Sequence, residues 1–202
     1  NKVLLEDRDT RVFFDFGEPF GMADNYFVEW LKPRERFGLR DFFHFDMVPK
    51  IRGLFAKEWL EDTDLRYSSP EFDAIFLSHM HFDHAWHMRF TDPGIPVHLG
   101  ETADLIRDSW ETTGGNTVRF GEHDYVRFRT GSKINVGTIE VEPIHVDHSV
   151  PGAYGFLVHT SEGCVVYTGD LRIHGPRADM THEFAKRAAD SKPIALICDC
   201  LL

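Results

Sequence analysis

The sequence predicts a layered α/β or α+β sandwich in which the sheets are covered by helices. Three observations lead there: short strand-like runs dominate the chain, helical patterns are interspersed among them, and no internal repeat or low-complexity segment breaks the order. At 202 residues, with 42% hydrophobic and 13% aromatic side chains, the chain can build one large domain with a real core. A charged fraction of 27% and the lack of any apolar run near the ~18 residues of a membrane span argue against disorder and against a bilayer-crossing helix.

Residues 2–6 and 11–16 read as two strands joined by the polar turn Asp7-Arg8-Asp9-Thr10, a hairpin. From 17 to about 67 the pattern changes to a Phe-, Trp- and Arg-rich stretch broken by Pro19, Pro33 and Pro49, with short helical pieces expected near 23–31 and 54–60. It reads as an insertion packed on the body of a single domain spanning 1–202. The apolar run 72–77 is a buried strand that delivers the chain to Ser78-His79. A short helix near 83–89, a strand at 95–99 and a helix at 102–110 ended by Gly114-Gly115 follow. Three or four strands fit between 117 and 145, with turns at Gly121, Gly131 and Gly137. Strands at 154–158 and 164–168 meet at Ser161-Glu162-Gly163. Thr181 caps a final helix, and 194–198 closes with a strand.

The formal net charge of -11 argues against a surface that grips nucleic acid by bulk electrostatics, so a polyanionic substrate would need metal ions or a local basic patch. The stretch from Lys32 to Lys57 is such a patch, with a local excess of basic residues, although a solvated face explains it as well. Three cysteines, Cys164, Cys198 and Cys200, do not make a disulfide framework, and a reducing, cytoplasmic setting is expected. No signal peptide is apparent. The chain opens without a methionine, already in a strand-like run, so its start reads as trimmed.

Twelve histidines are the unusual figure, because imidazole is the commonest metal ligand and titrates near neutrality. Ser78-His79-Met80-His81-Phe82-Asp83-His84 places three imidazoles and a carboxylate together where a buried strand ends. In an extended segment alternate side chains face one way, so His79 and His81 can reach one metal ion. A helical turn beginning at Asp83 would swing Asp83 and His84 toward a second position. This mixed nitrogen and oxygen set suits zinc first, then manganese or iron.

The motif resembles that of the metallo-β-lactamase superfamily of metallohydrolases. The resemblance implies a four-layer αββα sandwich and a dinuclear site, with His79, His81 and His148 on metal one, Asp83 and His84 on metal two, and Asp170 bridging. Asp15 would stand behind the ligands. His148 lies in Asp147-His148-Ser149-Val150-Pro151-Gly152-Ala153-Tyr154-Gly155-Phe156 and Asp170 in Tyr167-Thr168-Gly169-Asp170-Leu171-Arg172-Ile173-His174-Gly175. These wordings look like those of the β-CASP nucleases, the group that includes ribonuclease J. The implied activity is hydrolysis of phosphodiester bonds, with RNA the first substrate and two zinc ions, or manganese or iron, activating water. Asp83 and Asp170 would take part in catalysis. Ser149 and Arg172 are candidates for the scissile phosphate, and His145 and His174 for a supporting role. His87, His44, His98, His123, His159 and His182 are read as ordinary.

Two other functions stay open: a small-molecule hydrolase of a thioester, lactone or β-lactam on the same fold, and a non-catalytic scaffold subunit. The resemblance also implies a late histidine for metal two, which this sequence does not show. In β-CASP enzymes a second domain is inserted after a strand capped by an acidic residue, and Ile194-Ala195-Leu196-Ile197-Cys198-Asp199 is similar to that strand. The expectation is therefore a sandwich incomplete at its C-terminus, completed by a missing β-CASP part or a partner chain.

Overall fold

The computed structural model describes residues 1–18, 32–115 and 117–198. The helical piece expected near 23–31 and the acidic position Asp199 lie outside the described residues. Among the described residues ten strands form two mixed sheets. In the first, β1 (Lys2–Asp7) pairs antiparallel with β2 (Thr10–Phe16), and β3 (Ala74–Leu77), β4 (Val97–Gly100) and β5 (Tyr125–Phe128) follow in parallel. In the second, β6 (Ile134–Val136), β7 (Ile139–His145), β8 (Tyr154–His159) and β9 (Cys164–Tyr167) are antiparallel neighbours, and β10 (Ala195–Ile197) adds in parallel beside β9.

The layering follows from the two-residue period of the strands. Val12 and Phe14 of β2, Ala74 and Phe76 of β3, Val141 of β7 and Phe156 and Val158 of β8 point between the sheets and form one core. The alternate residues Phe13, Ile75, Leu77, Val97 and Leu99 face outward from the first sheet, under α1 (Arg40–His44), α3 (Glu101–Gly114) and the loops around them. Ile144, Leu157 and Val166 face outward from the second sheet and meet Phe184 of α4 (Ala178–Asp190). Three apolar interfaces thus separate four layers, helices and loops, sheet, sheet, helix.

Two local expectations need correction, and one short helix lies where none was expected. The helix expected at 54–60 is only a 3-10 turn, Lys57–Leu60, while α1 was not anticipated because five residues are too short to show a helical period. Residues of this stretch, Leu39, Phe42, Met47, Leu54 and Phe55 among them, are buried in the outer core of the first sheet. Thr181 is not a cap. The last helix begins at Ala178, and the buried Thr181 hydroxyl accepts the Asp147 N–H at 2.9 Å and donates to the Arg172 carbonyl at 2.9 Å. A hydroxyl near a helix start gives the same sequence signal whichever backbone group it serves.

Candidate metal centre

Parallel pairing sends β2 and β3 to the same edge of the first sheet, which places Asp15 beside Ser78 and His79. In the second sheet β7 and β9 both run against β8, so the segments carrying His148 and Asp170 also leave one edge. Two contacts bring these edges together. The Tyr154 N–H donates to the Ser78 carbonyl at 3.0 Å. Gly169, at φ 52°, approaches so closely that a Cβ there would lie 2.7 Å from Cβ of Ser78.

His81 is the last extended residue, at φ -63° and ψ 149°, and α2 (Phe82–Ala85) starts directly after it. His79 Nε2 and His148 Nε2 lie 3.0 and 3.1 Å from His81 Nδ1. Oδ2 of Asp170 is 3.3 Å from His148 Nε2 and 3.8 Å from His79 Nε2. The helical turn carries the next two side chains elsewhere: His84 Nε2 is 3.1 Å from Asp83 Oδ2 and 3.2 Å from Asp170 Oδ1. Two donor groups result, His79, His81, His148 and Asp170 in one and Asp83, His84 and Asp170 in the other, each with its atoms within 4.8 Å of one another. Asp170 belongs to both.

Asp15 organises this cluster from behind. Fully buried and at φ 57°, its carboxylate accepts the Ser78 N–H and hydroxyl at 2.7 Å each, the His84 Nδ1 at 2.7 Å and the Tyr167 hydroxyl at 2.6 Å. The single Ser78 hydroxyl proton goes to Asp15, so Nδ1 of His79, 2.9 Å from Ser78 Oγ, is the donor there. Nε2 of His79 is then a bare lone pair facing the other imidazoles. Burial pushes His79 well below its usual pKa and keeps it neutral. For His84 burial acts downward, but Asp15, assisted by Asp170 and Asp83, outweighs it and raises the pKa to about 11. Burial of Asp170 is likewise outweighed by His84, and its carboxyl stays below the usual range.

This donor set fits divalent metal ions. Imidazole nitrogens of His79, His81 and His148 converge in one group, where a cation can accept all the lone pairs that protons satisfy only singly. In the other, Asp83 and Asp170 already demand a positive charge at Nε2 of His84. Asp170 Oδ1 is buried without a well-directed hydrogen bond although His84 Nε2 is near, so a ligand position is left open.

The remaining sequence candidates are placed as follows. Ser149 Oγ is exposed, 3.5 Å from both His81 Nε2 and His148 Nε2, on the wall of a cleft of about 320 Å³ that Arg172 also lines. The Arg172 guanidinium is bonded to Asp147 at 3.2 Å, and the backbone of Gly175 lies against its Nε. His174 and His182 are exposed and belong to neither donor group. His145 stacks on Tyr154 at 4.0 Å and bonds Thr130 at 2.9 Å. His87 is fully buried between Phe42 and Phe90, with no hydrogen bond to either ring nitrogen among the described residues. The patch at Lys32–Lys57 is partly neutralised by Arg34–Asp41 and Lys50–Asp64 ion pairs, and a cleft of about 820 Å³ beside it contains none of the cluster residues.

Sequence reasoning missed Ser78, Tyr167 and Asn1. Ser78 and Tyr167 hold Asp15, and Nδ2 of Asn1 lies 2.9 Å from His84 Nε2 and 3.2 Å from Asp83 Oδ2. Adjacency to His79 was a signal for Ser78, and the inward phase of β9 was one for Tyr167. Asn1 carried none.

A family model described as a β-lactamase superfamily domain matches residues 42–189, most of the chain. The chain belongs to this superfamily. Ribonuclease J of Sinorhizobium meliloti is 31% identical over 134 residues, covering 62% of the chain and 23% of that protein. Ribonuclease J of Helicobacter pylori is 27% identical over 141 residues, covering 61% of the chain and 18% of the relative. These relatives agree with the β-CASP resemblance of the metallo-β-lactamase motifs, and the chain spans about a fifth to a quarter of their length. A protein of unknown function from Enterococcus faecalis V583 superposes with a TM-score of 0.72 at 26% identity, covering 93% of this chain and 44% of that one. A quorum-quenching N-acyl homoserine lactone lactonase, at 16% identity and a TM-score of 0.53 over 95% of this chain and 75% of its own, shows the same fold.

Proposed function

We propose that this metallo-β-lactamase superfamily hydrolase cleaves phosphodiester bonds in RNA, with divalent metals, zinc foremost, held by His79, His81, His148 and Asp170 and by Asp83, His84 and Asp170. The observation that carries the reading is Asp170: one carboxylate reaches both donor groups, which suits a ligand shared by two metals. Bound there, such ions supply an activated water and stabilise charge on phosphoryl oxygens. Asp15 fixes the tautomer of His84 and, through Ser78, that of His79, so both present Nε2. Asp83 accepts a hydrogen bond from Asn1 in the second group and would there help to orient a nucleophile. Ser149 and Arg172, which line the cleft beside His148, would in this reading meet phosphate oxygens. The named relatives support RNA as the substrate, and the cysteine usage supports a reducing, cytoplasmic location. In this reading residues 1–202 are one domain, and the described part of its Phe- and Arg-rich stretch, residues 32–67, belongs to the outer layer on the first sheet.

The net charge of -11 favours a second reading, a small-molecule hydrolase acting on a lactone, thioester or β-lactam. Purified protein supplied with zinc or manganese and offered labelled single-stranded RNA, a lactone and a thioester separates the two. RNA cleavage that chelator abolishes and metal restores is expected. Intact RNA beside a hydrolysed lactone would overturn the proposal.

A further inference from the structure

We propose that Phe82 is a stacking platform for an unpaired base of the substrate, which makes it a residue that selects single-stranded nucleic acid. The inference rests on the phosphodiester reading above. Phe82 stands between His81 and Asp83, one from each donor group, so its Cα lies about 3.8 Å from each of theirs. Among the described residues Phe82, at 47% exposure, and Tyr67, at 44%, are the only exposed Phe, Tyr or Trp rings, in a chain with 18 phenylalanines and a large buried core. An apolar ring left open to water beside a polar cluster forgoes burial that its neighbours in the chain obtain.

The ring is also held in place. Trp86, one helical turn on, packs 4.8 Å away at 35°, and Trp110 of α3 meets it at 5.5 Å and 72°. Trp86 is in turn fixed edge-on to Phe120 at 5.5 Å, with the Arg89 guanidinium 4.1 Å from its ring. The Phe82 carbonyl accepts the Glu18 N–H at 2.9 Å and the Trp86 N–H. A platform so braced loses little freedom when a flat ligand settles on it. Every nucleobase has a π face, so stacking tolerates any sequence but requires a base out of its duplex. With 33 acidic against 22 basic residues, this surface has little bulk attraction for phosphates, and base contacts near the cluster supply grip that charge does not.

The test couples the protein side chain to one base of the ligand. A fluorescent single-stranded oligoribonucleotide is made in a series, each member carrying one abasic residue. Binding is read by anisotropy in chelator, where no cleavage occurs, and KM is read with zinc. Phe82→Ala should weaken binding of the intact oligonucleotide about tenfold, and Phe82→Trp should hold it within about twofold. One abasic position should weaken wild-type binding by a similar factor and leave Phe82→Ala binding unchanged. Independent, multiplying losses, or no sensitive position in an oligonucleotide that the wild type cleaves, would overturn the platform and leave the phosphodiester reading intact. Unchanged RNA affinity in Phe82→Ala together with release of a protein partner would assign the ring to a protein contact and also overturn it. A wild type that neither binds nor cleaves RNA overturns both.

Discussion

Asp15 concentrates more of the site's order than any ligand. Four hydrogen bonds converge on one fully buried carboxylate held at positive φ, a conformation that aspartate adopts more readily than larger residues. Asp15→Ala strips partners from Ser78, His84 and Tyr167 at once, and the expected loss is about 3 kcal/mol of unfolding free energy by urea titration. The same variant frees the tautomers of His79 and His84, so its metal affinity should fall even where the fold survives. His84 makes a second prediction. Its pKa, raised to about 11, means that the metal-free protein carries an imidazolium there at pH 7, whereas burial keeps His79 neutral. Filling the group of Asp83, His84 and Asp170 should therefore release about one proton. Titration calorimetry in buffers of different ionisation enthalpy reads this directly. Metal binding to that group without proton release would contradict the charge state assigned to His84.

At the level of elements, the approach of β2 to α2 sets where Asp83 and His84 stand. A Cβ on Gly17 would lie 2.0 Å from the carbonyl of Asp83 and 2.2 Å from N of His84, so the strand end and the helix start pack backbone to backbone. Gly17→Ala must push them apart. The expected result is a stability loss of about 1–3 kcal/mol, as for other overpacked positions, with metal content reduced in the group of Asp83 and His84 before the other. Elemental analysis with thermal denaturation checks it, and unchanged metal content would show that α2 can shift freely. The same comparison explains what the sequence makes legible. The nearness of His79, His81, Asp83 and His84 is local, written in a strand period followed by a helical turn, and needs no tertiary knowledge. His148 and Asp170 lie on separate strand ends, so the sequence pointed to them only through the wording of their motifs, which resembles a family. Thr181 shows the limit: a hydroxyl at a helix start looks like a cap, yet it serves Asp147 and Arg172, two groups from distant turns. The exposure of Phe82 was equally hidden, since an apolar residue at the start of a helix reads as core.

Across the whole molecule, the candidate metal centre lies on the seam between the two sheets. His79, His81, Asp83 and His84 come from the edge of the first sheet, His148 and Asp170 from the second, and only Asp170 belongs to both donor groups. Rings on the two inner faces already join the sheets, with Phe14 5.4 Å from Phe156 and 5.7 Å from Tyr167. A metal ion bound by residues of both would act as a second clasp, present in the folded state and lost on unfolding. Its contribution follows from mass action: at a free metal concentration one hundred times Kd, binding adds about 2.7 kcal/mol. For a domain of about 200 residues this raises Tm by roughly 5–11 °C. Zinc added to chelator-treated protein should produce a rise of this size, and excess chelator should reverse it. Asp170→Ala should remove most of the rise, because it takes a ligand from each group, whereas Phe156→Ala should lower the starting Tm through the lost core ring and keep the metal increment. If zinc stabilised Asp170→Ala as much as the wild type, the ion would be binding elsewhere, and the clasp between the sheets would have to be abandoned.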